Sequence, residues 1–214
     1  MNLVTMTILL DARIKSVISV MTRPNQTFRE ITSYNENYFV FAIAIFALTS
    51  FFFVGYTTEE AVGSLPVNEG GFVLDATYQI ESFVESILWN MFSIALIFYL
   101  GIKFEGNNNF KKVFSVITFA LVPMLIGGVI MHVFALYPPL VENISGIDKE
   151  SPEFPGLFWP LYFAYLPFVL WSVILSIKAI KVVNGFGTAK AFGVLIISTI
   201  IVFGVAEAIT FALR

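Results

Sequence analysis

Residues 38–56 read YFVFAIAIFALTSFFFVGY. No charged side chain interrupts them. A helix rises 1.5 Å per residue, so ~20 such residues cover the ~30 Å hydrocarbon core of a bilayer. Four further stretches have the same predominantly apolar character: about 80–101, which has a polar start, about 112–136, about 160–180 and about 189–213. The runs are continuous rather than alternating. They are also much longer than the ~10-residue strands of a membrane barrel, which argues against β-structure. The expected fold class is all-α: a polytopic membrane helix bundle of five transmembrane helices with an additional N-terminal amphipathic helix.

Composition agrees. Of the 214 residues, 57% are hydrophobic and 13% charged, and Phe alone occurs 24 times; the mean hydropathy is +0.84. A soluble domain carries about 25% charged residues to clothe its surface, and this chain lacks that shell. The net charge of −3 does not suit a nucleic-acid partner. With no Cys, disulfides, thiolate metal ligands and thiol catalysis are excluded.

Lys and Arg in the short connections predict orientation. Arg13, Lys15, Arg23 and Arg29 precede the first span. Lys103, Lys111 and Lys112 flank the second connection, and Lys178, Lys181 and Lys190 the fourth, making ten on one side. Only Lys149 and Arg214 fall on the other, two in all. The alternation places the N-terminus in the cytoplasm and the C-terminus outside a multi-pass cell-membrane protein. Glu59, Glu60, Glu69, Asp75, Glu142, Asp148, Glu150 and Glu153 collect in the outer connections.

The division expected is a cytosolic segment over 1–36 and a five-helix membrane domain over 37–214. Leu3, Met6, Leu10, Ile14, Val17 and Met21 recur at helical spacing, with Ser16 and Ser19 off that stripe. This predicts a helix on the inner membrane surface or against the cytosolic ends of the spans. Asp11, Arg13 and Lys15 break the apolar run, unlike a signal peptide. Pro24 suits the first turn of a second short helix, and Phe28 and Ile31 follow on one face.

Four elements in order carry a resemblance. They are Pro24, Phe28 and Ile31 before span one; Gly106-Asn107-Asn108-Asn109-Phe110-Lys111 leading into a span with Pro123; Leu170-Trp171 in span four; and Asn184-Gly185-Phe186-Gly187-Thr188-Ala189-Lys190-Ala191 opening span five. With this topology the chain, from about 23 to 209, resembles the Yip1-domain family of five-span membrane proteins. Its short loops and modest size look like prokaryotic, archaeal-type members. The family usually has Gly-Gly where this chain has Glu105-Gly106. Eukaryotic relatives act in Golgi and endoplasmic-reticulum traffic, bind small prenylated GTPases and associate with one another. The long N-terminal region of those proteins is missing here, so the resemblance does not extend to GTPase binding. The partners it implies are the lipid bilayer, further copies of the chain or other membrane proteins.

The connection from Glu105 to Asn109 reads as a turn rich in residues that tolerate positive φ. Gly185 and Gly187 read as ending span four, with Thr188 as N-cap of span five. Tight connections make spans two and three, and four and five, antiparallel neighbours. Pro123 and Pro167 each free a carbonyl within a span and bend it. A static kink and a hinge are the two readings. Asn143 begins a glycosylation sequon on the predicted outer face; Asn25 begins another on the inner side.

Ionisable residues inside spans carry a functional hypothesis. Glu81, Glu85 and Asn90 in span two, His132 in span three and Glu207 in span five share the outer half of the bilayer. They allow three readings: an interhelical hydrogen-bonded pair reached by water, passage of an ion or proton, or a divalent metal at Glu85, His132 and Glu207. No cofactor is otherwise expected. No phosphate loop, Gly-x-Ser-x-Gly or His-Glu-x-x-His occurs. A prenyl-protein-processing protease, suggested by Glu59-Glu60, lacks the following Arg and has a single His. The expected function is a non-enzymatic membrane scaffold acting through helix surfaces; the alternative is a transporter or channel component using the Glu/His residues.

Overall fold

The structure, a computed structural model, describes residues 3–33, 35–53, 76–136 and 158–212. Among them are eight helices and no strand: α1 Leu3–Thr22, α2 Pro24–Ser33, α3 Asn35–Phe53, α4 Ala76–Lys103, α5 Phe110–Ala120, α6 Val122–Leu136, α7 Phe158–Asn184 and α8 Thr188–Ala212. The all-α membrane bundle read from the sequence is what forms. Three helical stretches, Phe83–Lys103, Phe163–Asn184 and Thr188–Ala212, are each long and apolar enough to cross a bilayer. A fourth crossing arises if the bent pair Phe110–Ala120 and Val122–Met131 counts as one span. The described apolar part of α3, Tyr38–Phe52, is shorter, and residues 54–56 of the quoted stretch lie outside the described residues.

The bend sits where the sequence forbids a continuous helix. Pro123 has no N–H and cannot bond back to residue 119. The chain responds by ending α5 at Ala120, with Leu121 at φ −84° and ψ −4°, and restarting with Pro123 in the first turn of α6, where a missing N–H costs nothing. The two axes meet at 43°. The Met124 amide turns outward to Ser172 Oγ of α7, at 3.2 Å. α7 by contrast runs unbroken through Pro167.

α5 is the centre of the bundle. Every residue from Val113 to Ala120 is buried, so this helix has no lipid-facing stripe at all. It packs against α3, α7, α2 and α4. Aromatic rings fill the α3–α5 seam: Phe39 and Phe46 lie 5.5 and 5.3 Å from Phe114, and Tyr38 and Phe41 lie 5.9 and 6.0 Å from Phe119. α6 reaches its neighbours by close approach. A Cβ at Gly127 would stand 2.7 Å from the Tyr165 ring, and one at Gly128 would stand 3.0 Å from Phe52 Cβ. Small residues at such crossings let membrane helices gain dispersion contact.

α1 forms where its periodicity predicts, and Val17 and Met21 of the expected stripe pack against the core, but the packed face also takes in Ser16 and leaves Ile14 out. Ser16 and Val20 are buried, while Ile14 and Ile18 are exposed. The Ser16 hydroxyl lies 3.1 Å from the Tyr38 hydroxyl, and this polar pair rotates the helix toward Ser16. α2 starts at Pro24 and buries Pro24, Thr27, Phe28 and Ile31, and it packs chiefly against α7, then α1 and α5. α8 lies at the edge against α7 and α4 and buries only Ala191, Val194 and Ser198.

Candidate functional site

The densest polar construction lies at one end of the bundle, where α4 turns into α5 and α7 turns into α8. Both turns use one device. After α4, the Gly106 N–H bonds to Gly101 O at 2.8 Å and the Glu105 N–H to Ile102 O at 3.0 Å, with Glu105 at φ 62°. After α7, the Phe186 N–H bonds to Lys181 O at 3.0 Å, with Gly185 at φ 69°. These are Schellman closures, in which one left-handed residue lets the following amides satisfy the last helical carbonyls. The positive φ therefore falls on Glu105, not on the Gly and Asn residues expected to supply it. It occupies the place where the resembling family has the first Gly of its pair.

Asn184 locks the two turns together. Its Oδ1 accepts the Asn107 backbone N–H at 2.9 Å, and its Nδ2 donates to Ile180 O at 3.1 Å. Asn107 Nδ2 returns a bond to Val183 O at 3.1 Å. Gly101 and Gly106 permit this closeness: a Cβ at Gly106 would lie 2.5 Å from Asn184 Oδ1 and 2.8 Å from both Gly101 O and Phe186 Cζ. Asn109 then caps α5, its side chain accepting from the Lys112 amide at 3.2 Å.

Basic residues surround the lock. Lys190 Nζ donates to Phe104 O at 2.6 Å and stands 4.4 Å from the Phe186 ring centroid. Lys111 lies over Phe39 at 5.6 Å, and Lys178 over Trp171 at 5.8 Å. Lys181 Nζ donates to Thr188 Oγ1 at 3.0 Å. Thr188 is thus the first residue of α8 and not its N-cap. The Gly187 carbonyl accepts the first helical bond, from the Ala191 amide at 3.0 Å, so the helix begins one residue earlier than expected.

Some of the motif residues quoted from the sequence gather at this end: Gly106, Asn107, Asn184, Phe186 and Lys190. Phe28 and Ile31 are fully buried. Phe110 packs edge-on to Phe98 at 5.4 Å. Gly106 lies in the lock, Lys190 and Thr188 beside it, whereas Trp171 sits about 20 Å back along α7. Sequence reading missed Asn107 and Asn184 as keystones of the lock. Asn184 directly before Gly185, and Asn107 directly after Gly106, are turn signals; nothing in one sequence says that the two turns touch.

The residues proposed for the opposite half of the bilayer are arranged differently. Glu81, Glu85 and Glu207 are exposed. Glu85 accepts from Trp89 Nε1 at 3.2 Å within its own helix. Asn90 donates to Ser50 Oγ on α3 at 3.2 Å and to Ser86 Oγ at 3.3 Å, a polar contact joining α3 to α4. The His132 side chain and Asn143 lie outside the described residues. Among the described residues, no group of three or more His, Cys, Asp or Glu side chains converges to hold a metal.

A family model described as Yip1 domain matches residues 18–209. No curated protein and no solved structure matches the chain.

Proposed function

Since this chain belongs to the Yip1-domain family and is an integral membrane protein, we propose that it acts as a non-enzymatic scaffold that organises other membrane components through its helix surfaces. The observation that supports this most is α8. Over its 25 residues only Ala191, Val194 and Ser198 are buried. Phe192, Ile196, Ile200, Phe203, Ile209 and Phe211 are all exposed, so most of this helix meets lipid or another protein. α4 adds Ile80, Val84 and Leu88.

The rest of the proposal is topological. The bundle crosses five times, with α3, α4, the α5–α6 pair, α7 and α8 as the spans, in a cell membrane. The interlocked turns face the cytoplasm with the ten basic residues, and the C-terminus lies outside. The segment over 1–36 is cytosolic and docks on the membrane domain.

The test is crosslinking inside the membrane. A photoreactive side chain at Phe192, Ile200 or Phe203 should give discrete protein adducts in native membranes, either of this chain with itself or with a defined partner. Adducts with lipid alone at all three positions would overturn the scaffold reading.

A further inference from the structure

An arginine sits on the packed side of α1. Residues three and four apart share a helix face, so Arg13 belongs with Ser16, Val17 and Val20. Ser16 and Val20 are buried, Val17 packs against the core, and Arg13 is itself half-buried. Its Nε is sealed from solvent and has no hydrogen-bond partner. The two Nη groups are not sealed, and among the described residues they too lack an acceptor. The guanidinium is always ionised, and a charge half inside a packed seam is costly until something pairs with it.

The neighbouring carboxylates do not fill that need. Asp11 and Lys15 stand two residues to either side of Arg13, ~200° around a helix of 3.6 residues per turn, and so take the opposite side of α1. Lys15 is exposed and has a partner of its own. Glu36 stands two residues before Tyr38, on the side of α3 away from Ser16 by the same count. On α2, Glu30 is exposed and accepts from Gln26 Nε2 at 3.0 Å. The polar groups that share the Arg13 side are hydroxyls, Ser16 Oγ and Tyr38 Oη, 3.1 Å apart.

The same contact sets the depth. Tyr38 opens the apolar run of α3, and tyrosines at span ends sit at headgroup level. Its contact with Ser16 holds Arg13, one turn away, close to that level. Ile14 and Ile18 lie on the adjoining stripe of α1 and are 49% and 65% exposed, so α1 also meets hydrocarbon. An unpaired guanidinium at this boundary offers two N–H groups in the fork that matches phosphate oxygens.

We propose that Arg13 binds the phosphate of a membrane phospholipid lodged where α1 docks on the bundle. Its Nη groups donate to two phosphate oxygens, and the acyl chains enter the hydrocarbon that Ile14 and Ile18 meet. The lipid supplies the acceptor that the chain does not, and it fastens α1 to the membrane domain. This site goes beyond the scaffold reading and does not depend on a protein partner.

The experiment is a titration of dioleoylphosphatidylglycerol into the delipidated intact chain in micelles, with bound lipids counted by native mass spectrometry. The wild type should take up a first lipid ahead of the others. Arg13→Gln should weaken that first binding about 10- to 100-fold, the range for a charge-assisted hydrogen bond. Arg13→Lys keeps the charge but not the fork and should fall between the two. Arg29→Gln, which removes an exposed cation of α2, should bind like the wild type. Dioleoylglycerol has the chains without the phosphate and should not fill the site, and inorganic phosphate should not displace the lipid. An unchanged first lipid in both Arg13 variants, an equal loss in Arg29→Gln, or occupation of the site by dioleoylglycerol or by inorganic phosphate alone overturns the proposal.

Discussion

Asn184 Oδ1 accepts the backbone N–H of Asn107 at 2.9 Å, across 77 residues of sequence. One amide side chain at the end of α7 thereby closes the turn after α4, and Gly101 and Gly106 leave the room it needs. The antiparallel pairs α4–α5 and α7–α8 are fastened to each other at their turns, not merely packed along their lengths.

Asn184→Ala should therefore destabilise the bundle by about 1–3 kcal/mol, because the Asn107 amide loses its acceptor in a partly buried setting. Asn184→Asp keeps an oxygen for that amide but loses the donor to Ile180 O, so its effect should be smaller. Unfolding titrations in mixed micelles check the order wild type, Asp, Ala.

Glu105 and Gly185 make opposite predictions about one backbone conformation. Glu105 holds φ 62° with a Cβ, which costs about 1 kcal/mol. Glu105→Gly should raise stability by roughly 0.5–1 kcal/mol, with part of the gain offset by the freer unfolded chain. At Gly185 a Cβ would meet nothing within 4 Å, so Gly185→Ala isolates the backbone term. It should cost about 1 kcal/mol. A thermal midpoint unchanged in both variants would mean that neither closure forms as described.

Much of this architecture was legible from apolar run length, because a lipid solvent forces each run into a helix whose backbone bonds are internal. The break near Pro123 was legible for a covalent reason. The orientation of α1 was not: counting apolar residues cannot foresee that Ser16 turns inward to meet Tyr38. Nor was the Thr188 boundary, where a lysine seven residues away competes for the hydroxyl. The motif positions looked scattered in sequence because the loop lock is tertiary. Depth alone placed Glu85 and Glu207 together, but depth does not fix the face of a helix, and both are exposed.

The α6–α7 contact supplies a packing prediction. Ser172 Oγ serves the Met124 amide at the break, and Gly127 meets Tyr165 and Phe168 one turn on. Ser172→Ala should cost about 1 kcal/mol, since it leaves a part-buried amide without an acceptor. Gly127→Leu should be worse, because the rings at 2.7 and 2.9 Å from a Cβ must move with the whole helix. Gly193→Leu on α8, where a Cβ meets nothing within 4 Å, is the control and should be nearly silent in the same unfolding assay.

The absence of Cys from the sequence makes the proposed topology directly measurable. In sealed, right-side-out vesicles, Arg214→Cys should react with a membrane-impermeant maleimide. Asn108→Cys, an exposed position in the α4–α5 turn, should react only after the vesicles are opened. The reverse pattern would invert the orientation, and labelling of both sites in sealed vesicles would require an even number of crossings between them.

The transporter alternative stands or falls on three side chains. If an ion or proton passes through the outer-half residues, Glu85→Gln, His132→Asn and Glu207→Gln must each lower flux in reconstituted vesicles. Removing a charge from a permeation path changes the electrostatic barrier that the ion crosses. The scaffold reading expects no specific flux above empty vesicles in the wild type, and no change in any variant. The exposed positions of Glu85 and Glu207 make both substitutions well tolerated by the fold, so a loss of flux would report on transport and not on unfolding. A wild-type proton or cation flux abolished by any one of the three, with the thermal midpoint intact, would replace the scaffold with a conduction pathway.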